Sequence, residues 1–283
     1  MIKLENVSYT YNKGRPDMCH ALYDVSLEIP DGSTTAVIGH TGSGKSTLIQ
    51  LLNGLEKPDS GRVFVNGTEV TAKGADLRAL RFKVGMVFQY PEYQLFEETV
   101  EKDIAFGPKN MGLDEEEIMA RVSRAAELVG LDRAELKKSP FELSGGQKRR
   151  AAIAGVIAME PEVLIMDEPA AGLDPKGRGA VFELIRRLRE RRPEMIIIFV
   201  SHSMEDVAAT ADRIVVMSGG KVKMNDETGK VFARGAELRK MGLDVPEIAK
   251  LCSRLSEAGF DLPEGIYTVE AAVNNLKKVL IDD

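Results

Sequence analysis

Residues 35–47 read TAVIGHTGSGKST, and this stretch decides the fold of the chain. A short apolar run, Thr35 to Ile38, enters a glycine-rich turn, as is typical of a buried parallel strand. After the turn, apolar residues recur three and four positions apart, which predicts a helix from Lys45 to Leu55. The apolar face of that helix consists of Leu48, Leu51, Leu52 and Leu55.

The turn matches the pattern G-x-x-x-x-G-K-[ST], which binds the phosphates of a nucleoside triphosphate when a strand precedes it and a helix follows. Its residues are Gly39, His40, Thr41, Gly42, Ser43, Gly44, Lys45, Ser46 and Thr47. Glycines let successive N–H groups point at phosphate oxygens, and a side chain there would keep the phosphate out. We expect Lys45 to reach the β- and γ-phosphates and the Ser46 hydroxyl to bind Mg²⁺, beside the positive end of the helix.

A second apolar strand ends in two carboxylates, since residues 163–168 read VLIMDE. Parallel strands present functional groups at their carboxyl ends, where the phosphates also bind. We therefore expect Asp167 to hold Mg²⁺, directly or through water, and Glu168 to polarise an attacking water. An ordinary polar strand end is the alternative, and the phosphate loop favours the functional interpretation.

The remaining pattern predicts an α/β fold with a parallel sheet, an antiparallel β subdomain and a helical insertion. Period-two alternation or short apolar runs predict further strands at residues 2–9, 21–29, 61–65, 84–88, 196–200 and 214–217. Helical spacing dominates residues 95–159, most clearly over 115–128, where apolar residues line one side. These are Ile118, Val122, Ala125, Ala126 and Val129.

The chain after about Lys230 is predicted to be mainly helical, and Thr268 is the expected N-cap of its last helix. That helix carries Val269, Ala272, Val273, Leu276, Val279 and Leu280 at helical spacing. We therefore expect two units: residues 1–229, with the helical insertion at about 95–159, and a small helical unit over 230–283.

Composition limits the possible partners. The chain has 283 residues, 43% of them hydrophobic, and its net charge of -6 argues against a general electrostatic affinity for nucleic acid. Cys19 and Cys252 lie far apart and are typical of reduced thiols, not of a metal site. The most apolar stretch, residues 195–200, is far shorter than the roughly 20 residues that a membrane-spanning helix needs. Any membrane role is therefore expected to be peripheral.

Residues 143–147 read LSGGQ and precede a helix expected to start near Lys148. This resembles the signature motif of ATP-binding cassette (ABC) ATPases, and the resemblance extends over about residues 2–217. By position, Tyr11 corresponds to the aromatic residue that stacks on adenine, although Tyr9 lies on the same strand face. The other matching positions are the Q-loop residue Gln89, the D-loop residue Asp174 and the switch histidine His202.

The resemblance implies an ABC nucleotide-binding domain with a RecA-like parallel core, which binds ATP and Mg²⁺ and works as half of a dimer. The implied catalytic residues are Lys45, Gln89, Glu168 and His202, and the implied Mg²⁺ ligands are Ser46, Gln89 and Asp167. The signature residues would cover the nucleotide held by the partner chain, with Asp174 at the interface between the two. These signature residues are Ser144, Gly145, Gly146 and Gln147.

Residues 89–96 (QYPEYQLF) and 103–108 (DIAFGP) resemble the ATPases of energy-coupling factor (ECF) transporters, closer to the second of their two types. The resemblance implies a peripheral subunit on the cytoplasmic side of the cell membrane that energises import of a vitamin or a transition-metal ion. A transmembrane coupling subunit would dock near Gln89 to Phe106, a membrane substrate-binding subunit would complete the transporter, and the helical tail would help two ATPases pair. The alternatives are a conventional ABC transporter ATPase, an ABC ATPase acting on DNA or ribosomes, and a non-hydrolysing partner.

Overall fold

The computed structural model describes residues 1–281, and within them the strands form two sheets. The smaller sheet is antiparallel, with the strand order β2-β1-β4-β5. Its strands are β1 (Ile2–Tyr11), β2 (Cys19–Ile29), β4 (Ser60–Val65) and β5 (Thr68–Glu69). The predicted antiparallel strands at residues 2–9 and 21–29 are therefore confirmed, and so is the strand predicted at residues 61–65.

The larger sheet has the order β10-β9-β3-β8-β7-β6, and all of its neighbours are parallel except the pair β10 and β9. Its strands are β3 (Thr34–Ile38), β6 (Val84–Val87), β7 (Val163–Asp167), β8 (Ile196–Val200), β9 (Arg213–Ser218) and β10 (Lys221–Glu227). The strand that leads into the phosphate loop, β3, lies between β9 and β8, so both of its edges are paired.

Helices cover both faces of this sheet. In chain order they are α1 (Lys45–Leu52), α2 (Leu77–Lys83), α3 (Val100–Asn110), α4 (Glu115–Val129), α5 (Arg133–Leu136), α6 (Gly145–Ile157), α7 (Pro175–Arg191), α8 (Met204–Thr210), α9 (Thr228–Ala233), α10 (Gly235–Lys240), α11 (Glu247–Glu257) and α12 (Val269–Ile281). Two 3₁₀ helices occur at Pro91–Gln94 and Pro140–Glu142. Among residues 1–281, none of the helices is both long enough and apolar enough to cross a membrane.

The parallel strands bury alternate residues in two separate cores. In β3, Ala36 and Ile38 pack with the insertion helices and α7, whereas Val37 packs with α1 and the smaller sheet. The same division holds in β8, where Phe199 faces the first core and Val200 the second. Two-sided burial explains why these strands are continuous apolar runs and not alternating ones.

The five predicted apolar residues of α4 are all buried, which confirms its orientation. By contrast, the helix after the phosphate loop ends at Leu52, not at Leu55. Gly54 adopts a left-handed conformation (φ +68°) just beyond the helix, and this reverses the chain. Leu55 therefore lies beyond the helix and is 43% exposed, so its assignment to the apolar face of that helix was wrong.

The chain after β10 is helical, and its first helices pack on the main core through Val231, Phe232 and Leu238. A separate small cluster then forms around Cys252, Leu262, Ile266 and Ala272. The Thr268 hydroxyl accepts a hydrogen bond from the N–H of Ala271 (3.2 Å), which confirms the predicted N-cap of α12. Val269 and Val273 of that helix are exposed, whereas Leu276 and Val279 pack against the small cluster. Leu280 was predicted on the same helix, and its side chain lies outside the described part of the structure.

Candidate functional site

The carboxyl ends of four neighbouring parallel strands bring the predicted site residues to one edge of the sheet. Val37 of β3 and Asp167 of β7 both pair with Val200 of β8, and Met166 pairs with Val87 of β6. The segments that follow these strands therefore start close together, along the carboxyl-terminal edge of the sheet. They carry Gly39, Gln89, Glu168 and His202.

The phosphate loop is held in shape by close backbone contacts. Gly44 has a φ of +100°, and a Cβ there would lie 2.7 Å from the carbonyl oxygen of Ala21. A Cβ on Gly39 would lie 2.4 Å from the carbonyl oxygen of Met217. These two glycines are thus required by the protein's own packing, a reason that adds to the predicted need for phosphate access.

Lys45 is buried inside this loop, with 6% of its surface exposed. Its ammonium donates to the carbonyl oxygens of Gly39 (2.8 Å) and His40 (3.2 Å) and forms no ion pair within the described residues. Burial lowers the pKa of Lys45, and the carboxylates of Glu168 and Asp167 counteract that effect. A buried cation without an ion-pair partner suits an anionic ligand, because phosphate oxygens compensate for its desolvation.

Asp167 lies at the end of β7, facing Ser46. Burial raises the pKa of Asp167, the neighbouring Glu168 raises it further, and the Lys45 ammonium and a hydrogen bond with Ser46 lower it. The Ser46 hydroxyl and the Asp167 carboxylate are oxygen ligands of the kind that Mg²⁺ prefers. Mg²⁺ keeps water and phosphate oxygens among its ligands, so a few protein oxygens beside the phosphate loop fit it.

Glu168 lies at the centre of the predicted catalytic residues. Its Oε2 accepts a hydrogen bond from Nε2 of Gln89 (3.0 Å), and its Oε1 lies 2.9 Å from Nε2 of His202. The backbone of Glu168 is left-handed (φ +48°), an uncommon conformation for a residue other than glycine. The structure thus brings three residues that are far apart in the sequence into direct contact.

Tyr9 and Tyr11 have different environments. Tyr9 is buried and its hydroxyl donates to the Glu56 carboxylate, so it belongs to the core. Tyr11 is partly exposed, and its hydroxyl lies 3.0 Å from Oγ1 of Thr47, the residue that ends the phosphate loop. The contact between Tyr11 and Thr47 supports Tyr11, not Tyr9, as the residue beside the nucleotide.

We expect Tyr11→Ala to weaken ATP binding roughly 10-fold, because stacking of one base on an aromatic ring contributes about 1–3 kcal/mol. Tyr11→Phe is the matched control, since it removes the hydroxyl contact with Thr47 but keeps the ring. Equilibrium binding of ATP to both variants measures the difference. Equal losses in the two variants would assign the effect to the hydroxyl and contradict stacking.

The signature residues lie at the start of α6, on the surface of the helical insertion. The Ser144 hydroxyl accepts from the N–H of Gln147 (3.4 Å), and the Gln147 side chain accepts from the N–H of Ser144 (2.8 Å). The helix therefore starts at Gly145, and the expected start near Lys148 was wrong because this reciprocal capping was not foreseen. No hydrogen bond joins these residues to the phosphate loop within the part of the chain that the structure describes.

Asp174 is the N-cap of α7, and its carboxylate accepts from the N–H of Gly177 (2.7 Å). His40 also makes a local contact, with Nδ1 lying 2.7 Å from the carbonyl oxygen of Thr41. The implied role of Asp174 at a dimer interface stays a prediction.

Sequence reasoning missed two sets of charged residues that hold the site loops. Glu135 accepts a hydrogen bond from the Gln147 side chain and so anchors the signature turn. Arg149 and Glu92 form an ion pair beneath the Q-loop segment. The sequence does carry one signal, because Arg149 lies four and eight residues before Ile153 and Ile157, on the buried face of α6.

Known proteins resemble this chain along nearly its whole length. The family model described as "ABC transporter" matches residues 22–171. The energy-coupling factor transporter ATP-binding protein EcfA2 of Clostridium acetobutylicum is 55% identical over 280 residues, covering 99% of this chain and 98% of that protein. The EcfA2 of Clostridioides difficile is 54% identical over 281 residues, covering 99% of this chain and 97% of that protein.

Two solved structures show the same fold. CbiO1 of Clostridium perfringens, part of the ABC transporter complex cbiONQ, has a TM-score of 0.75 and 36% identity, and the match covers 91% of this chain and 97% of that one. The ATP-binding cassette MJ0796, in a dimeric post-hydrolysis state with ADP and Pi, has a TM-score of 0.71 and 28% identity. That match covers 80% of this chain and 98% of MJ0796.

Proposed function

This chain belongs to the ABC transporter family and, within it, to the energy-coupling factor ATP-binding proteins, and from that membership we propose how it works. The resemblance to these ATPases that the sequence predicted is confirmed, and so is the predicted ABC fold. We propose that the chain hydrolyses MgATP to energise an importer of a vitamin or a transition-metal ion. It would act peripherally, on the cytoplasmic side of the cell membrane.

The proposed chemistry is attack of water on the γ-phosphate. Glu168 carries the proposal, since its carboxylate lies between Gln89 and His202 at the edge that also holds the phosphate loop. Glu168 would accept the proton of the attacking water, while His202 would hydrogen-bond the γ-phosphate and orient it. Lys45 and the loop N–H groups would hold the β- and γ-phosphates in line for attack.

Ser46, Gln89 and Asp167 would hold Mg²⁺, which supplies positive charge at the β- and γ-phosphate oxygens when bound. Asp167 and Glu168, though adjacent, have different tasks. Asp167 ends β7 beside the phosphate loop, where Ser46 lowers its pKa, whereas Glu168 contacts Gln89 and His202, on the side where water would enter. Replacing Asp167 should therefore affect binding of the metal, and replacing Glu168 should affect activation of water. Neither substitution should affect both.

The active unit is proposed to be a dimer of two such chains, identical or similar. Ser144, Gly145, Gly146 and Gln147 would close over the nucleotide of the partner, with Asp174 at the interface. Three features support this arrangement: the exposed start of α6, the open space around Gly145 and Gly146, and the absence of hydrogen bonds from the signature turn to its own phosphate loop within the described residues. The dimeric state of MJ0796 supports it further. The unit over 230–283 would help the two chains pair, through the exposed Val269 and Val273.

A transmembrane coupling subunit is proposed to dock in the groove between α2, α3 and α6, with a membrane substrate-binding subunit held through it. The groove has a volume of about 370 Å³ and is lined by aromatic and aliphatic side chains, including Phe82, Phe96, Phe106 and Met159. Phe96 and Phe106 meet edge to face at 5.0 Å, and they are 60% and 46% exposed. Exposed aromatic pairs of this kind are typical anchors for a partner helix.

Phe106→Asp is expected to weaken association with the coupling subunit roughly 30-fold or more, because a charge replaces an aromatic anchor in an apolar groove. ATP binding by the isolated chain should not change, because Phe106 lies outside the phosphate loop. Co-purification from membranes measures association, and Met119→Asp, at an exposed apolar residue of the neighbouring α4, is the matched control. Normal assembly of the Phe106 variant would exclude this groove as the docking site.

Reconstitution tests the function as a whole. The chain is co-expressed with its membrane subunits, incorporated into lipid vesicles and supplied with MgATP. ATP hydrolysis accompanied by cargo uptake is the expected result, and uptake should stop when ATP is replaced by ADP. Uptake that proceeds equally without ATP would contradict the proposal.

A further inference from the structure

Arg149 of α6 has a buried guanidinium group whose contacts extend beyond its ion pair with Glu92. Only 3% of the residue is exposed. Its Nε and Nη2 donate to the two carboxylate oxygens of Glu92, both at 3.0 Å. Its Nη1 donates to the carbonyl oxygens of Ala171 (2.7 Å) and Pro169 (3.3 Å). Four hydrogen bonds from one planar group fix its orientation completely.

These hydrogen bonds join the loop that carries Gln89 to the loop that carries Glu168. Glu92 lies in the 3₁₀ helix three residues after Gln89, and Pro169 and Ala171 lie one and three residues after Glu168. Gln89 and Glu168 are themselves in contact at 3.0 Å. Arg149 thus binds both loops just beyond the point where their functional side chains meet, from a helix that begins with the signature turn.

The first of these loops begins with a residue whose backbone conformation needs support from its neighbours. Tyr90 adopts a left-handed backbone conformation (φ +55°), which costs free energy for an aromatic residue. The Arg149 guanidinium lies 5.8 Å from the centre of the Tyr90 ring, and a Cβ on Gly172 would lie 3.6 Å from that ring. Tyr90 is therefore held between the arginine and the D-loop, directly after Gln89.

We propose that Arg149 is a positioning residue for hydrolysis: it fixes the distance between Gln89 and Glu168 by tying the Q-loop segment to the segment after β7. The inference rests on the proposed ATPase function. It assigns to Arg149 no contact with nucleotide, because its partners are Glu92 and backbone carbonyls. Arginine is required because a lysine ammonium cannot form the bidentate pair and reach both carbonyls at once.

The proposal predicts that replacing Arg149 lowers the rate of turnover without a comparable loss of nucleotide binding. The residues that hold the phosphates, 39–47, make none of the Arg149 contacts. A small displacement of Glu168 relative to the γ-phosphate, in contrast, is expected to lower the rate about 100-fold. An arginine that only stabilised the fold would, when replaced, lower stability, ATP affinity and turnover together.

The test uses the assembled transporter with Arg149→Lys, Arg149→Met and Glu92→Gln. We expect kcat for ATP hydrolysis to fall about 10- to 100-fold in both Arg149 variants, with KM for ATP within about threefold of the wild-type value. Glu92→Gln keeps the shape of the pair and should give a smaller fall in kcat. Combining Glu92→Gln with Arg149→Met should lower kcat no further than Arg149→Met alone, since both act through one contact.

Arg124→Met is the matched control, because Arg124 also pairs with two carboxylates, those of Glu117 and Glu160, and its ion pairs involve neither loop. Its turnover should stay within about twofold of wild type. Thermal unfolding of every variant is measured alongside. Should Arg149→Met unfold, Arg149→Lys and Glu92→Gln decide the question.

A folded Arg149→Lys variant with wild-type kcat would overturn the proposal, and so would a parallel loss of kcat, ATP affinity and stability in Glu92→Gln. If the wild-type assembly itself fails to hydrolyse ATP, the proposed function is wrong. That result is distinguishable, because it appears before any substitution is made.

Discussion

Glu168→Gln is expected to lower ATP turnover by the assembled transporter about 100-fold or more, because an amide cannot accept a proton from the attacking water. The substitution conserves size and shape. The glutamine oxygen can still accept from Gln89, and its NH₂ group can still donate to a ring nitrogen of His202, so the local arrangement is preserved. The loss should therefore appear in kcat and not in the binding of ATP.

Turnover and binding need to be measured on the same preparation. Phosphate release over a single turnover gives the rate, and equilibrium titration with ATP gives the affinity. Glu162→Gln is the matched control, since Glu162 precedes the same strand, β7, at its opposite end, and its carboxylate contacts the side chains of Asn66 and Lys83. Turnover that is unchanged in Glu168→Gln, measured within the full complex, would remove Glu168 from the general-base assignment.

The same variant should accumulate as an ATP-bound dimer. In the proposed cycle two ATP molecules close the dimer, and hydrolysis removes the charge that keeps it closed. Measuring the molecular mass of the Glu168→Gln variant in solution, with and without MgATP, would detect this dimer. A variant that binds ATP yet stays monomeric under these conditions would argue that closure needs more than the two phosphate sites.

Much of the fold could be predicted because its information is local. A strand buried on both faces must be a continuous apolar run, and the limits of β8 follow directly from residues 196–200. The phosphate loop needs glycines at fixed spacing between a strand and a helix, so its position is equally clear. Glu168 could be predicted from the strand that it follows, whereas Gln89 and His202 were predicted through the resemblance to ABC ATPases, by their positions after such strands.

Errors arose where a neighbour remote in the sequence, or the shape of one turn, decides the outcome. The leucine pattern continues to Leu55, but the left-handed Gly54 ends α1 and turns Leu55 towards solvent. In the same way, the start of α6 depends on a reciprocal cap that Gln147 completes together with Ser144. The spacing of apolar residues indicates which residues could share a helix face, but it does not indicate where the helix begins or ends.

The support of the site could not be predicted, because it depends on contacts between distant segments. Glu92 and Arg149 are separated by 57 residues, and the carbonyl of Ala171 lies 22 residues beyond Arg149. A charged residue on a buried helix face shows that a partner must exist, because an unpaired buried charge is costly. It does not show which segment provides that partner. The roles of Ser144 and Asp174 depend on a second chain and stay predictions for the same reason.

Lys45→Ala is expected to weaken ATP binding about 100-fold, because a charge-assisted hydrogen bond contributes roughly 1.5–3 kcal/mol and Lys45 would make such bonds to two phosphates. ATP should lose more affinity than ADP, since the γ-phosphate contact is lost as well. Titration with both nucleotides measures the difference. Lys73→Ala, at an exposed lysine remote from the loop in the sequence, is the matched control.

Without nucleotide, the same variant should be about as stable as the wild type. Burial lowers the pKa of Lys45, which means that enclosing its ammonium costs free energy, and the hydrogen bonds to Gly39 and His40 offset part of that cost. ATP should then raise the unfolding temperature of the wild-type protein but not of Lys45→Ala at the same concentration, because a ligand stabilises only the state that binds it. Equal stabilisation of both proteins by ATP would mean that the phosphates do not bind beside Lys45.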